Sequence, residues 1–155
     1  MNEPATYLGK EGMEWVQTLQ HSDPILRRLA VYALGEIGPQ APGGVPALRV
    51  ALQDPVNWVR VWAAAAFAQV TNERRAVAVL VAERQAPQAF VRSLVAWHLG
   101  RLGANFPGIE AGIDALQHLR DDDDPSVQAE ARIALQTLQC KGSLPSGTAF
   151  LSSHT

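Results

Sequence analysis

Apolar and small residues recur at helical spacing in four windows of the chain, and the windows repeat one another. Leu26 to Gly38 reads LRRLAVYALGEIG, Val59 onward reads VRVWAAAAFAQVT, and Val91 onward reads VRSLVAWHLGRLG. A weaker copy, VQAEARIALQTL, begins at Val127. The steps are 33 residues from Arg27 to Arg60, 32 from Arg60 to Arg92 and 36 from Arg92 to Gln128. A period in the thirties with a helical hydrophobic pattern predicts stacked helix pairs, each unable to bury its apolar face alone.

The second helix of each pair is the better marked. Asp23-Pro24 and Asp124-Pro125 each read as an N-cap Asp followed by Pro in the first turn. Asp54-Pro55 lies two residues too early for that role, which places Pro55 in the turn between helices. The first helices are predicted over Met13–Gln20, Val45–Gln53, Arg75–Arg84 and Ile109–Arg120. Loops rich in Gly and Pro, GPQAPGG from Gly38 and GANFPG from Gly103, separate two pairs from the next. The β-branched run Val77 to Val81 sits between charged ends in a helical window and is read as helix, so no strand is predicted. The expected fold is an all-α, right-handed solenoid of about four helix pairs. It occupies residues 1–139, with approximate repeats 8–38, 43–71, 73–103 and 108–139. Residues 140–155 form a tail, either flexible or laid over the solenoid.

Composition narrows the function classes. The chain has 155 residues, 47% hydrophobic and 18% charged, enough for one domain with a real core. A net charge of −2 gives no global attraction to nucleic acid or to an anionic membrane, and neither is an expected partner. The lone Cys140 cannot form an internal disulfide, and the opening MNEPATYLGKEG lacks the order of a signal peptide. With no apolar run long enough to span a bilayer, the expected location is the cytoplasm.

The repeated residues resemble HEAT-type repeats, in the short form named after phycobilisome bilin lyases, which runs roughly D-x-D-P-x-V-R-x-x-A-A-x-A-L-G-x-I-G. Asp23, Pro24, Arg27, Ala30, Ala33, Leu34, Gly35, Ile37 and Gly38 match it in the first copy. Asp54, Val59, Arg60, Ala63, Ala64 and Ala66 match in the second, and Val91, Arg92, Ala96, Leu99, Gly100 and Gly103 in the third. The last copy keeps Asp122, Asp124, Pro125, Val127, Ala131, Ala134 and Leu135 but departs at Gln128 and Gln136, as a capping repeat does. The resemblance implies a scaffold and is nearly silent on activity.

Helical geometry, at about 100° per residue, sorts the remaining positions. Ala30, Ala33, Leu34 and Ile37 share the core face, and the small columns Val31/Ala64/Ala96 and Gly35/Ala68/Gly100 face the neighbouring repeat. The leftover arc, which the resemblance places on the concave surface, holds five columns. They are Ile25/Trp58/Phe90/Ser126, Arg28/Val61/Ser93/Ala129, Leu29/Trp62/Leu94/Glu130, Tyr32/Ala65/Trp97/Ile133 and Glu36/Gln69/Arg101/Thr137. Relatives fill such positions with charge; here three columns are apolar or aromatic through the first three copies. A contiguous apolar patch that the core does not need marks an interaction surface. The candidate partner-binding residues are therefore Ile25, Leu29, Tyr32, Trp58, Trp62, Phe90, Leu94, Trp97 and Arg101. A register slip that buries the rings, cover by Phe150 and Leu151 of the tail, or self-association would account for the same residues.

Chemistry-bearing residues point elsewhere. Arg27, Arg60 and Arg92, with Asp54 and Asp122 six residues ahead of their own copy's position, read as a ladder tying turns together. The run Asp121 to Asp124 reads as a solvated turn, since a calcium loop needs a longer ligand pattern. His21, His98, His118 and His154 show no metal spacing, and His98 falls in the Ala33 column as a satisfied, neutral core ring. No nucleophile elbow or phosphate loop is present, so no catalytic residue, metal or cofactor is assigned. The expected function is a non-catalytic module holding a protein or peptide. The family resemblance implies an alternative, a bilin lyase-like or chaperone-like subunit acting on phycobiliproteins. A HEAT-like DNA glycosylase fits less well, because Arg28 and Arg101 are the only basic residues on the arc and Glu36 and Glu130 oppose them.

Overall fold

The computed structural model describes residues 5–142 and is a stack of four antiparallel helix pairs. The first helices are α1 (Gly12–Thr18), α3 (Gly44–Ala51), α5 (Arg75–Ala82) and α7 (Ile109–Leu119). The second helices are α2 (Pro24–Ile37), α4 (Asn57–Thr71), α6 (Ala89–Leu102) and α8 (Pro125–Gly142). Each first helix packs on its own second helix, and the second helices stack in order, α2 on α4, α4 on α6 and α6 on α8. Asp23 caps α2 by accepting from the Ile25 N–H at 2.8 Å. Asp124 caps α8 in the same way from Ser126, also at 2.8 Å. Asp54-Pro55 lies in the turn before α4 as expected, and α5 runs on through a 3-10 turn, Glu83–Gln85.

Small residues set how closely the second helices approach. A Cβ added at Gly35 would lie 3.1 Å from the Ala66 Cβ, and one at Gly100 would lie 2.8 Å from the Ala134 Cβ and 2.9 Å from its Cα. Between the layers, Val31, Leu34, Val59, Ala63, Phe67, Leu80, Val91, Val95, Leu99 and Leu116 are wholly buried. This core is what orders the short first helices, which at 7 to 11 residues are too short to hold alone.

The arginine column forms the expected ladder, with one substitution of partner. Arg27 grips Asp54 of the next repeat with two bonds, Nε to Oδ2 at 2.7 Å and Nη2 to Oδ1 at 2.9 Å. Arg92 grips Asp122 in the same fork, both bonds at 2.8 Å. Each arginine also donates through Nη1 to the carbonyl six residues before it: His21, Asp54 and Ala86 respectively. Gln128 keeps that backward bond to the Asp122 carbonyl at 2.6 Å, and its Oε1 accepts from Arg132 Nη2 at 3.2 Å. Arg60 instead pairs with Glu83, in the 3-10 turn of the third repeat. The Asp122 carboxyl is held below the usual carboxylate range by the hydrogen bond from Arg92, with the Asp124 backbone N–H adding to it against burial.

Four expectations are corrected. A two-stranded antiparallel hairpin, β1 (Thr6–Tyr7) with β2 (Lys10–Glu11), precedes α1, although no strand was expected. Its turn puts Leu8 and Gly9 at φ of 50° and 74°, and two-residue strands are too short to show an alternating pattern. Val61, assigned to the outer arc, is wholly buried, because α4 turns that edge toward its neighbours. Helix α8 carries Cys140 within it and continues to Gly142, past the expected end at Gln139. His98 is buried, but its Nε2 has no hydrogen-bond partner among the described residues, so it is not the satisfied ring expected. The proposed cover by Phe150 and Leu151 lies outside the described residues.

Arg27→Ala strands the buried Asp54 carboxylate and should lower unfolding free energy by ~2–4 kcal/mol. Urea denaturation checks this, and the Arg27→Ala, Asp54→Ala double variant should lose clearly less than the sum of the two single changes. Gly100→Ala should be destabilising by ~1–3 kcal/mol despite alanine's better helix propensity, because the obstructing atoms include backbone that no rotamer can move. A melting temperature at or above wild type would show that the helices can part freely.

Candidate functional site: an aromatic strip on the second-helix layer

The outward face of the second helices carries a row of rings, one from each successive element. Tyr7 of β1 meets Tyr32 of α2 edge-on at 5.8 Å between centroids. Tyr32 meets Trp62 of α4 edge-on at 6.3 Å, and Trp62 meets Trp97 of α6 at 6.2 Å with the planes 54° apart. These separations are those of favourable aromatic pairs. The row draws on two of the predicted columns, since Trp62 and Trp97 differ by one helical step in register. Tyr32 and Trp97 are each 38% exposed, and Trp62 is half-buried, its inner edge packed on the core.

Two grooves flank the Trp62–Trp97 ridge. One, of about 750 Å³, is lined by Tyr32, Glu36, Trp62, Trp97, His98, Arg101 and Phe106 among others. The second, of about 650 Å³, includes Trp62, Phe90, Leu94, Trp97 and Glu130. Of the nine predicted residues, Tyr32, Trp62, Phe90, Leu94, Trp97 and Arg101 therefore gather on one or both grooves. Ile25, Leu29 and Trp58 line neither; Ile25 is 60% exposed on α2, while Leu29 and Trp58 are half-buried against the core. Sequence reasoning missed Tyr7, which extends the row, and Phe106, which closes one end of the larger groove. Neither lies in a repeated column, so column reading had no signal for them.

His98 sits beneath the ridge, its ring edge-on to Trp62 at 4.8 Å and to Trp97 at 4.6 Å. Burial, with the Arg101 charge adding, pushes its pKa down to about 4, so it is a neutral wedge that spaces the two indoles. Two guanidiniums lie on the same rings: Arg28 over Trp62 at 5.3 Å and Arg101 over Trp97 at 4.7 Å. Each is at cation–π distance. No group of His, Cys, Asp and Glu able to hold a metal occurs among the described residues, and no described helix is long and apolar enough to cross a membrane.

The family model for HEAT repeats matches residues 13–93, just over half of the chain. This chain belongs to the HEAT repeat family. Among solved structures, this HEAT repeat chain is similar to an engineered protein, with a TM-score of 0.60 and 24% identity. That match covers 87% of this chain and 65% of the engineered protein, so the chain spans about two thirds of its length. It is also similar to the complex of CpcE and CpcF of phycocyanin lyase from Nostoc sp. PCC7120. There the TM-score is 0.49 and the identity 22%, over 92% of this chain and 71% of that one. No curated protein matches by sequence. At these identities the likeness is one of fold, and the strip must be read from its own residues.

The buried imidazole gives the site a pH signature. His98 keeps its low pKa only when folded, so the unfolded chain binds the proton first as pH falls. Its contribution is fully present above about pH 6.5 and is lost progressively toward the folded value near 4. That loss amounts to ~3 kcal/mol. Asp122 then adds a separate loss at lower pH, since a carboxyl with a depressed pKa stabilises only while ionised. Chemical denaturation at steps from pH 7 to pH 4 should show the first fall in wild type and its absence in His98→Leu. An equal fall in both would place the sensitivity elsewhere.

Proposed function

We propose that this HEAT repeat chain is a non-catalytic binding module that holds a protein or peptide segment along the Tyr32–Trp62–Trp97 strip. The supporting observation is the continuity of that strip. Rings from three neighbouring second helices follow one another at an accessible surface, Tyr32 edge-on to Trp62 and Trp62 tilted against Trp97. Large rigid side chains lose little rotamer freedom on binding and are the usual anchors of interfaces. The ridge between two grooves gives a partner side chain a place on either side of the indoles.

Affinity capture on the intact chain, compared with the Trp62→Ala, Trp97→Ala double variant, tests this reading. Each ring is expected to contribute ~2 kcal/mol to a partner, about a thirtyfold loss of affinity per substitution. The double variant should keep the wild-type helical circular dichroism. A partner retained equally by the double variant would contradict the proposal. Visible absorbance on the purified chain would redirect it to a tetrapyrrole ligand. A dimer abolished by the double substitution would redirect it to self-association.

A further inference from the structure

The charge pattern on the strip narrows the class of partner; this step rests on the reading just proposed. Arg28 and Arg101 each lie at cation–π distance from one of the strip's two tryptophans, Trp62 and Trp97. Neither forms an ion pair or a side-chain hydrogen bond among the described residues, whereas Arg27, Arg49, Arg60 and Arg92 all have acidic partners. A guanidinium held at cation–π distance from an indole, with no acid bound to it, keeps N–H donors available to a partner. Its planar fork matches a carboxylate. Three acids share this face. Glu36 of α2 lines the larger groove, and Glu130 of α8 lines the smaller one together with Asp124, the α8 N-cap. The ring beneath the two tryptophans, His98, is neutral and adds no charge of its own.

We infer that the strip recognises a peptide segment in which acidic residues directly adjoin bulky apolar ones. Carboxylates meet Arg28 and Arg101, while apolar side chains enter the two grooves beside Trp62 and Trp97. Glu36, Asp124 and Glu130 on the groove walls repel a uniformly acidic chain, so the recognised pattern is short acid next to apolar. A basic apolar segment meets two guanidiniums at the centre and is excluded.

Isothermal titration of the intact chain separates these cases. One blocked octapeptide carries a central Phe–Leu pair flanked on both sides by glutamate. Two others replace the glutamates with glutamine or lysine, and the fourth probe is hexaglutamate. The glutamate peptide is expected to bind about tenfold tighter than the glutamine peptide, with the advantage shrinking as salt is raised. The lysine peptide and hexaglutamate are expected to bind weakest. In the Arg28→Gln, Arg101→Gln double variant the glutamate and glutamine peptides should converge to within about twofold, with circular dichroism unchanged. Trp62→Ala should weaken both. Equal binding of the glutamate and glutamine peptides, tighter binding of lysine or hexaglutamate, or a preference that survives the double variant overturns the inference while leaving a binding strip intact. If no peptide binds a folded chain, the peptide reading falls as well.

Discussion

The close approach of the second helices is the constraint on which the rest of the molecule depends. Gly35 against Ala66 and Gly100 against Ala134 bring neighbouring backbones to within a methyl group of one another. Helices held that near place side chains of adjacent repeats in contact on both faces of the layer. On the inner face this closes the core. On the outer face the α2–α4 approach brings Tyr32 to 6.3 Å from Trp62, and Trp62 in turn lies 6.2 Å from Trp97 of α6. The stack thus produces a dry interior and a continuous aromatic surface, and neither follows from any single repeat.

The arginine ladder locks the same stack at its other end. Each arginine reaches forward to an acid of the next repeat and back to a carbonyl of its own turn. It therefore fixes both the spacing between repeats and the angle at which each second helix starts. Because Arg27 and Asp54 are both buried, the pair constrains geometry more than it adds net stability. The fourth repeat has Gln128 where the arginine would stand; it keeps the backward bond to the Asp122 carbonyl and accepts from Arg132. Function and frame are separated in space: the ladder's arginines are committed, and the arginines on the strip are not.

Much of this was legible in the chain itself. The helix pairs, the Asp caps of α2 and α8 and the ladder at Arg27 and Arg92 follow from spacing, because a repeat displays its structural residues several times over. What could not be read occurs once. The hairpin at Thr6–Glu11 has two residues per strand, below the length at which alternation shows. Glu83 substitutes for the column's aspartate from a 3-10 turn three residues out of place, so its pairing with Arg60 has no period to reveal it. Val61 shares a column with Arg28 yet is buried, since α4 turns that edge toward its neighbours, which a column aligned by sequence alone does not show. His98 was placed correctly in the core, but its lack of a partner depends on the two indoles above it, a property of tertiary contact alone.

The central claim is that the tryptophan ridge stands open on the surface while Trp15 belongs to the core. Fluorine NMR of the intact chain labelled with 5-fluorotryptophan, titrated with a soluble gadolinium chelate, tests that without any partner in hand. Each of Trp15, Trp58, Trp62 and Trp97 gives one resonance, assigned by single substitution to Phe. The account predicts that Trp97 broadens most, Trp58 and Trp62 less, and Trp15, at 3% exposure, least. Resonances of Trp62 and Trp97 as protected as that of Trp15 would mean the ridge is covered in the free chain, and would contradict the account.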